Sequence, residues 1–308
     1  MALTRGLGGG TASNNLRGII ALTLAQALLV GSDTFIKLAT TAIPASQIMA
    51  LRGPLVIALM LVMVAQSGAL RALPRIAGPM VLARAGLEAF IALLFIMALS
   101  GLPLGDITAI LQATPLILTC LGVAFLGQRA GFREASLILL GFAGVVMVVQ
   151  PGGTLSGGHV ALALLVALLI AFRDLITRAL DPAIPTTVIG LASGIAVCAL
   201  AWAAAPFQTW QPMTPLLWAY VAGTGVLVAG ANMLMVQAFR GVDLAVVSPF
   251  RYLVVVFAMV MAFAVWGDRP NALALGGVAL IVLSGLILMR AEWRKMRRPE
   301  LDANAAAD

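Results

Sequence analysis

Residues 33–46, Asp33-Thr-Phe-Ile-Lys-Leu-Ala-Thr-Thr-Ala-Ile-Pro-Ala-Ser46, return 141 residues later as Asp174-Leu-Ile-Thr-Arg-Ala-Leu-Asp-Pro-Ala-Ile-Pro-Thr-Thr187. Asp33 falls on Asp174, Lys37 on Arg178, Ala42-Ile43-Pro44 on Ala183-Ile184-Pro185, and Gly53 on Gly194. Further along, Gly101 falls on Gly241, Gly127 on Gly267 and Arg129 on Arg269, at a shift of 140. A drift of one residue is what a duplicated unit with one small deletion leaves. Both copies are strongly apolar, so the repeat points to a transporter built from two related halves.

The chain of 308 residues is 62% hydrophobic and 10% charged, against roughly 25% charged for a soluble domain. Such a sequence cannot supply the charged shell that a soluble core of this size needs. Its formal charge of +7 suggests nucleic acid at first sight. The basic residues, however, sit between apolar runs and near the C-terminus, which is the mark of membrane topology. Cys120 and Cys198 lie inside apolar runs and form no disulfide framework.

Ten apolar runs are long enough, or nearly so, to cross a bilayer as helix: 17–39, 46–66, 77–99, 105–126, 134–150, 159–180, 186–205, 214–238, 244–266 and 272–290. They are continuous rather than alternating, so helices are expected and a barrel is not. The expected organisation is a disordered N-terminal segment at 1–16, a first five-helix repeat at 17–150, a linker at 151–158, a second repeat at 159–290 and a solvated tail at 291–308. Placing the N-terminus in the cytoplasm puts Arg5, Arg17, Arg71, Arg75, Arg129, Arg133, Arg178, Arg240, Arg290, Arg294, Lys295, Arg297 and Arg298 inside, with only Lys37, Arg52 and Arg269 outside. That asymmetry predicts an inner-membrane protein with both termini cytoplasmic. An odd number of spans per copy forces the second copy to enter from the opposite side. The fold class expected is therefore all-α and polytopic, with ten transmembrane helices in two inverted five-helix repeats around a central cavity.

The motifs Gly101-Leu-Pro-Leu-Gly-Asp-Ile-Thr-Ala-Ile-Leu-Gln-Ala-Thr-Pro-Leu116, Phe125-Leu-Gly-Gln-Arg-Ala-Gly131, Gly141-Phe-Ala-Gly144 and Gln150-Pro-Gly152 resemble the EamA repeat of the drug/metabolite transporter superfamily. The resemblance runs from residue 17 to 290, the second copy being the weaker match. Where the repeat commonly shows Gly-Glu, this chain has Gly127-Gln128 and Gly267-Asp268, a variation read as belonging to a loop. The resemblance implies ten helices around a central cavity and a cargo such as amino acids (aromatic ones included), nucleosides, flavins or S-adenosylmethionine, mostly exported. Uptake of S-adenosylmethionine or a flavin is the runner-up, and an intramembrane enzyme or lipid-handling protein is the rival from another class.

Charges inside a bilayer cost at least about 2.5 kcal/mol each on insertion scales, so each needs a reason. A charge present in both halves is expected to serve the architecture, and one present in a single half the cargo. The symmetric pairs are Asp33/Lys37 and Asp174/Arg178, acid first at i, i+4 spacing, suited to two gates. Their alternative is charges at helix ends reaching the headgroups. The asymmetric residues are Glu88, Arg84, Arg173 and Arg251, with Tyr252 and Asn232 near them in type. Glu88 and Arg251 are predicted to line the cavity near the midplane and to pair with a zwitterion, unless Arg84 and Glu88 simply neutralise one another. Pro115 and Pro249 are expected to kink helices 4 and 9, exposing Gln112 and Ser248 as a second candidate wall. Gly190-x-x-x-Gly194 is read as a close-packing face.

The partners expected are a small-molecule substrate and the lipid bilayer, with no nucleic acid, and protons as the candidate coupling ion. No cofactor or metal is expected, since histidine and cysteine are few and scattered. The phosphate-binding motif of ATP-driven pumps is absent from the sequence, which leaves a secondary carrier working by alternating access.

Overall fold

Both copies of the repeated stretch fold alike: a helix ends, the chain turns, and a proline in extended conformation opens the next helix. Pro44 (φ −70°, ψ 157°) and Pro185 (φ −61°, ψ 137°) hold the two helix starts. The carbonyl of Pro44 accepts from the amides of Gln47 and Ile48, and that of Pro185 from Val188 and Ile189. A proline suits this position because its fixed φ stops one helix and its missing N–H costs the next one nothing.

The computed structural model describes residues 12–126, 132–150, 156–238 and 247–305; the side chains at 12–13, 122–126, 133–134, 178, 236, 248–249, 289 and 291–305 lie outside that description. Of the sequence expectations, Gly127-Gln128, the linker at 151–155 and the side chains of Arg178, Ser248 and Pro249 therefore fall outside the described residues.

The elements in order are α1 (Ala12–Ala39), α2 (Ala45–Gln66), a 3-10 segment (Ala69–Ala77), α3 (Pro79–Gly101), α4 (Leu104–Leu111), α5 (Thr114–Leu126), α6 (Phe132–Val149), α7 (Gly157–Arg178), α8 (Thr186–Ala204), α9 (Pro215–Ala238), a 3-10 segment (Ser248–Tyr252), α10 (Leu253–Trp266) and α11 (Ala272–Ala305). No strand occurs among the described residues. Seven spans there are long and apolar enough to cross a membrane, and three shorter apolar stretches, Ala135–Val149, Phe250–Trp266 and Ala272–Leu288, accompany them. The protein is thus an all-helical polytopic membrane protein.

Three boundaries differ from the sequence expectation. α1 begins at Ala12, inside the segment read as a disordered tail. α11 continues to Ala305 through the tail read as solvated, where Ala, Glu, Lys, Arg and Met sustain helix. The fourth span is broken rather than bent: α4 stops at Leu111 and α5 starts at Thr114. Pro115 has no N–H to offer the Leu111 carbonyl, and the Thr114 hydroxyl donates to it instead at 2.6 Å.

The bundle has two faces. The near face carries the start of α1 and the far face its end. The main helix contacts are α1 with α9, α6 with α11, α2 with α8, α3 with α7 and with α8, α2 with α9, α4 with α10, α5 with α7, and α1 with α10. Small residues set how close these helices come. A methyl group on Gly53 of α2 would lie 2.5 Å from the Cys198 sulfur of α8, and one on Gly144 of α6 would lie 2.6 Å from the Gly277 carbonyl of α11. Close approach through small residues is what replaces the hydrophobic effect inside lipid. Methyl groups on Gly190 and Gly194 of α8 would meet Met60 and Ile57 of α2 at an ordinary 3.8 Å, so the tight point of this contact is Gly53.

Several contacts occur twice, related by the sequence shift. The Ser46 hydroxyl of α2 donates to Gln208 at 2.6 Å on the far face. On the near face, Ser67 and Thr187 share a hydrogen bond at 3.3 Å, and 46 and 67 become 187 and 208 on adding 141. Likewise Gly53 meets Cys198 and Gly194 meets Ile57.

Candidate functional site

Lipid-depth charges in this fold gather into two groups, one in each half of the bundle. The first lies where α3 crosses α7, toward the near face. Glu88 of α3 accepts from Arg84 one turn earlier at 3.3 Å and from Arg173 of α7 at 3.1 Å. One nitrogen of Arg173 lies 3.1 and 3.2 Å from the two Glu88 oxygens. The rest of the Arg173 guanidinium holds Asp174, with Nη2 at 2.6 Å and Nε at 3.0 Å. Arg84 also donates to the Thr177 hydroxyl of α7 at 3.1 Å and to the Ser193 hydroxyl of α8. Two cations and two anions, with side chains 15–31% exposed, cancel there. Mutual pairing with further hydrogen bonds is the condition for holding such charges away from water.

In this structure Glu88 is engaged within the protein. Its partners are Arg84 and Arg173, and no ion pair joins it to Arg251 among the described residues. Arg84 and Glu88 pair with one another, and Arg173 is a third member that helical spacing in one helix could not reveal. Asp174 is held by its neighbour Arg173; the side chain of Arg178, its expected partner, lies outside the described residues.

The second group lies toward the far face. Asp33 and Lys37, expected as a pair, go to different partners. Asp33 of α1 is within electrostatic reach of Arg52 of α2. Arg52, read from the sequence as a charge on the outer side, sits in the second turn of α2 and is half-buried. The Lys37 ammonium donates to the carbonyls of Leu99 and Leu102 at the end of α3 and lies 5.4 Å over the Trp266 ring. A cation at a helix C-terminus is stabilised by the unsatisfied carbonyls and the helix dipole. Lys37 also feels Asp106 of α4 and Asp268 beyond α10.

The two groups share a register. Asp33 and Asp174 are repeat mates, as are Arg52 and Ser193. In one half the acid is balanced by Arg52 from the next helix. In the other half Ser193 stands in that place, and Arg84 and Arg173 supply the cations.

Of the remaining predicted residues, Arg251 is exposed, and its carbonyl accepts from Gln26 of α1 at 3.2 Å. Tyr252 is 5% exposed, packed on Gly285 of α11, and its hydroxyl has no partner among the described residues. Asn232 is exposed and bonds the Val228 carbonyl of its own helix at 3.0 Å. Gln112 closes the end of α4 through its backbone amide. Pro249 opens the 3-10 segment that leads into α10.

A cavity of about 210 Å³ opens on the far face, lined among others by Gly105, Asp106, Met259, Asp268, Arg269 and Asn271. None of the predicted cavity residues lines it. Sequence reasoning passed over Asp106 and Asp268 although both stand in quoted motifs, because one was taken as family pattern and the other as loop variation. Among the described residues, no three His, Cys, Asp or Glu side chains gather as a metal site requires.

Residues 158–290 match the EamA-like transporter family. The match falls on the second half, against the expectation that the first copy is the clearer one. The chain is 25% identical over 281 residues to the pseudopaline exporter CntI of Pseudomonas aeruginosa (strain UCBPP-PA14), covering 89% of this chain and 96% of that protein. It is 27% identical over 219 residues to a riboflavin transporter of Rhizobium johnstonii (71% of each chain) and 25% identical over 203 residues to an S-adenosylmethionine uptake transporter of Rickettsia bellii (65% and 68%). A solved crystal structure shares the fold at a TM-score of 0.62 and 19% identity, over 92% of this chain and 99% of that one. These relatives are transporters of small molecules.

Proposed function

We propose that this chain belongs to the EamA-like transporter family that its residues 158–290 match, and that it is a secondary carrier that exports small metabolites, amino acids including aromatic ones first among them, across an inner membrane by alternating access. The observation that carries the reading is the exchange symmetry of the helix contacts. Exchange α1 with α7, α2 with α8, α3 with α9, the α4–α5 pair with the 248–266 segment, and α6 with α11. The α1–α9 contact then becomes α7–α3, α2–α9 becomes α8–α3, and α1–α10 becomes α7–α5, while α2–α8, α6–α11 and α4–α10 map onto themselves. Ten spans in two five-span halves account for this. Because five is odd, the relating axis lies in the membrane plane, and two equivalent closures become available, one per face.

In this scheme the near face is cytoplasmic, since Arg17, Arg71, Arg75 and Arg290 lie toward it. Asp33 with Lys37 belongs to the outer closure, and Asp174 with Arg178 to the inner one. Glu88 and Arg251 are the residues proposed to meet a zwitterion. Arg251 offers an exposed guanidinium to a carboxylate, and Glu88 takes a substrate ammonium in exchange for Arg84 or Arg173. Export is favoured by the pseudopaline exporter, the relative matched over nearly its full length. Uptake of a flavin or S-adenosylmethionine is the second reading, favoured by the riboflavin and S-adenosylmethionine relatives.

The test is transport into liposomes of labelled amino acids, nucleosides, riboflavin and S-adenosylmethionine, with and without a pH gradient. Accumulation of an amino acid that responds to the gradient is the expected result. Movement of riboflavin or S-adenosylmethionine alone replaces the first reading by the second.

A further inference from the structure

The α2–α8 contact is fastened at both faces at once. At the far end, the Ser46 hydroxyl of α2 donates to Gln208 at 2.6 Å. Beside it Gln47, 2% exposed, spends both ends of its side-chain amide on one backbone position. Its Nε2 donates to the Gln211 carbonyl at 2.7 Å, and its Oε1 accepts from the Gln211 amide at 2.9 Å. The connector that leaves α8 is thereby docked on the first turn of α2. At the near end, the hydroxyls of Ser67 and Thr187 share a hydrogen bond at 3.3 Å. Arg75, in the connector that leaves α2, donates to the Ala183 carbonyl at 2.8 Å, just ahead of α8. Between the two ends, Met60, Val64, Val188 and Leu191 form one buried apolar cluster. Each half therefore docks the connector after its second helix on the start of the other half's second helix.

We propose that α2–α8 is a fixed seam, closed at both faces throughout transport, about which the other helices rock. The inference rests on the carrier reading, in which the two halves exchange conformations between the two open states. Under that exchange α1–α9 becomes α7–α3, so one of these contacts can tighten while the other loosens. The α2–α8 contact becomes itself. Ser46–Gln208 becomes Thr187–Ser67, the pair already closed at the other face. A contact that is its own mate, and is closed at both ends in one state, is closed at both ends in the exchanged state. The chemistry of the ends agrees. Parting the far end would strip the buried Gln47 amide of both partners, a penalty that an apolar contact does not carry. Toward the far end of α1–α9, by contrast, the Phe35 and Tyr220 rings stack at 5.6 Å, and ring faces can part without stranding a buried hydrogen bond. The rocking helices are carried on the two sides of the seam, since α9 also packs on α2 and α3 on α8. With the seam shut, closure by α1–α9 at one face draws on the same pivot as opening of α3–α7 at the other.

Cysteine pairs test the seam. In a Cys120→Ser, Cys198→Ser background, the seam pairs are Ser46→Cys with Gln208→Cys and Ser67→Cys with Thr187→Cys, and the comparison is Phe35→Cys with Tyr220→Cys. The near-end pair is exposed, so its substitution spares the fold even where the buried far-end pair does not. Each pair is joined by a short reducible thiol cross-linker in proteoliposomes, and transport of the labelled cargo panel is followed before linking, after linking and after reduction. Linking either seam pair should leave the rate within about twofold, whereas linking Phe35 to Tyr220 should lower it by at least about tenfold, reversibly. A reversible loss on linking a seam pair overturns the seam, and so does full transport with Phe35 and Tyr220 linked. Nitroxides on the same pairs supply a readout that needs no cargo. Their dipolar spectra should show one close component at each seam pair and two components at Phe35/Tyr220. A second, distant component at a seam pair overturns the seam whether or not any cargo moves. A chain that moves no cargo of the panel, yet shows the expected spectra, overturns the choice of cargo and upholds the seam.

Discussion

Arg173 of α7 holds Glu88 of α3 at 3.1 and 3.2 Å, so the one acid of α3 at membrane depth is satisfied by a cation from the other half of the chain. Removing one member leaves the others unmatched. Glu88→Gln turns a neutral quartet into one with a net positive charge. Breaking a buried ionic group costs about 3–5 kcal/mol, and the partial exposure here places the expected loss at the lower end. The paired change Glu88→Gln with Arg84→Gln restores neutrality and should recover part of it. Thermal unfolding of the single and double variants in detergent checks this, and strict additivity of the two losses would sink the idea of a coupled cluster.

The α2–α8 contact gives a prediction about two glycines that the repeat places in register. Alanine at Gly53 meets the Cys198 sulfur and Cβ at 2.5 and 2.8 Å, whereas alanine at Gly194 meets its neighbours at 3.8 Å. Gly53→Ala should therefore cost about 1–3 kcal/mol by overpacking. Gly194→Ala should stay within about 0.5 kcal/mol. Cys198→Gly in the Gly53→Ala background should return most of the loss. The same unfolding measurement decides it.

The class of fold was legible because long apolar runs and a duplicated stretch are properties of the chain itself. Pro44 and Pro185 also announced their helix starts locally, through a fixed φ and a missing N–H. What the sequence hid was lateral. Glu88 and Arg84 share one helix and were visible as neighbours, but Arg173 reaches them from 85 positions away, and nothing local tells which face α7 turns to α3. Arg52 was read as an outer-side charge of the second span, and its place near Asp33 of α1 is again a lateral relation that no local signal gives. The break at Leu111–Thr114 was half legible. Proline predicts a lost hydrogen bond, and only the tertiary setting decides between a bend and an interruption.

Asp33 and Asp174 occupy the same repeat position on opposite halves, and their balancing cations come from different helices. Asp33→Asn leaves Arg52 without its acid and weakens the far end of the α1–α2 pair. Asp174→Asn frees Arg173 and loosens the α3–α7 crossing near the other face. The two variants should shift the balance of open faces in opposite directions. Labelling of single cysteines placed at each face with a membrane-impermeant reagent measures this. Equal shifts would support the reading of these acids as plain helix-end charges.

Topology makes a separate demand. A reporter fused after Arg298 should be cytoplasmic and one inserted at Gly153 external, because basic residues crowd the near face. A cytoplasmic signal at Gly153 breaks the five-plus-five scheme, and with it the inverted relation of the halves.

Arg251 tests where the cargo's carboxylate goes. It is exposed within the 3-10 segment ahead of α10, and its carbonyl is anchored by Gln26 of α1. The side chain is thus free to meet a ligand while its backbone is held. It also belongs to one half of the repeat, since its mate is Leu111, so symmetry gives it no architectural partner. Arg251→Gln keeps most of the length and removes the charge. Transport of the cargo found in the liposome panel should fall by at least about tenfold, corresponding to about 1.4 kcal/mol, with thermal stability near that of the wild type. Glu88→Gln is the informative comparison, because there the fall in transport is expected together with a fall in stability. If Arg251→Gln transports at the wild-type rate, the carboxylate is met elsewhere, and Gln112, at the break between α4 and α5, becomes the next residue to change.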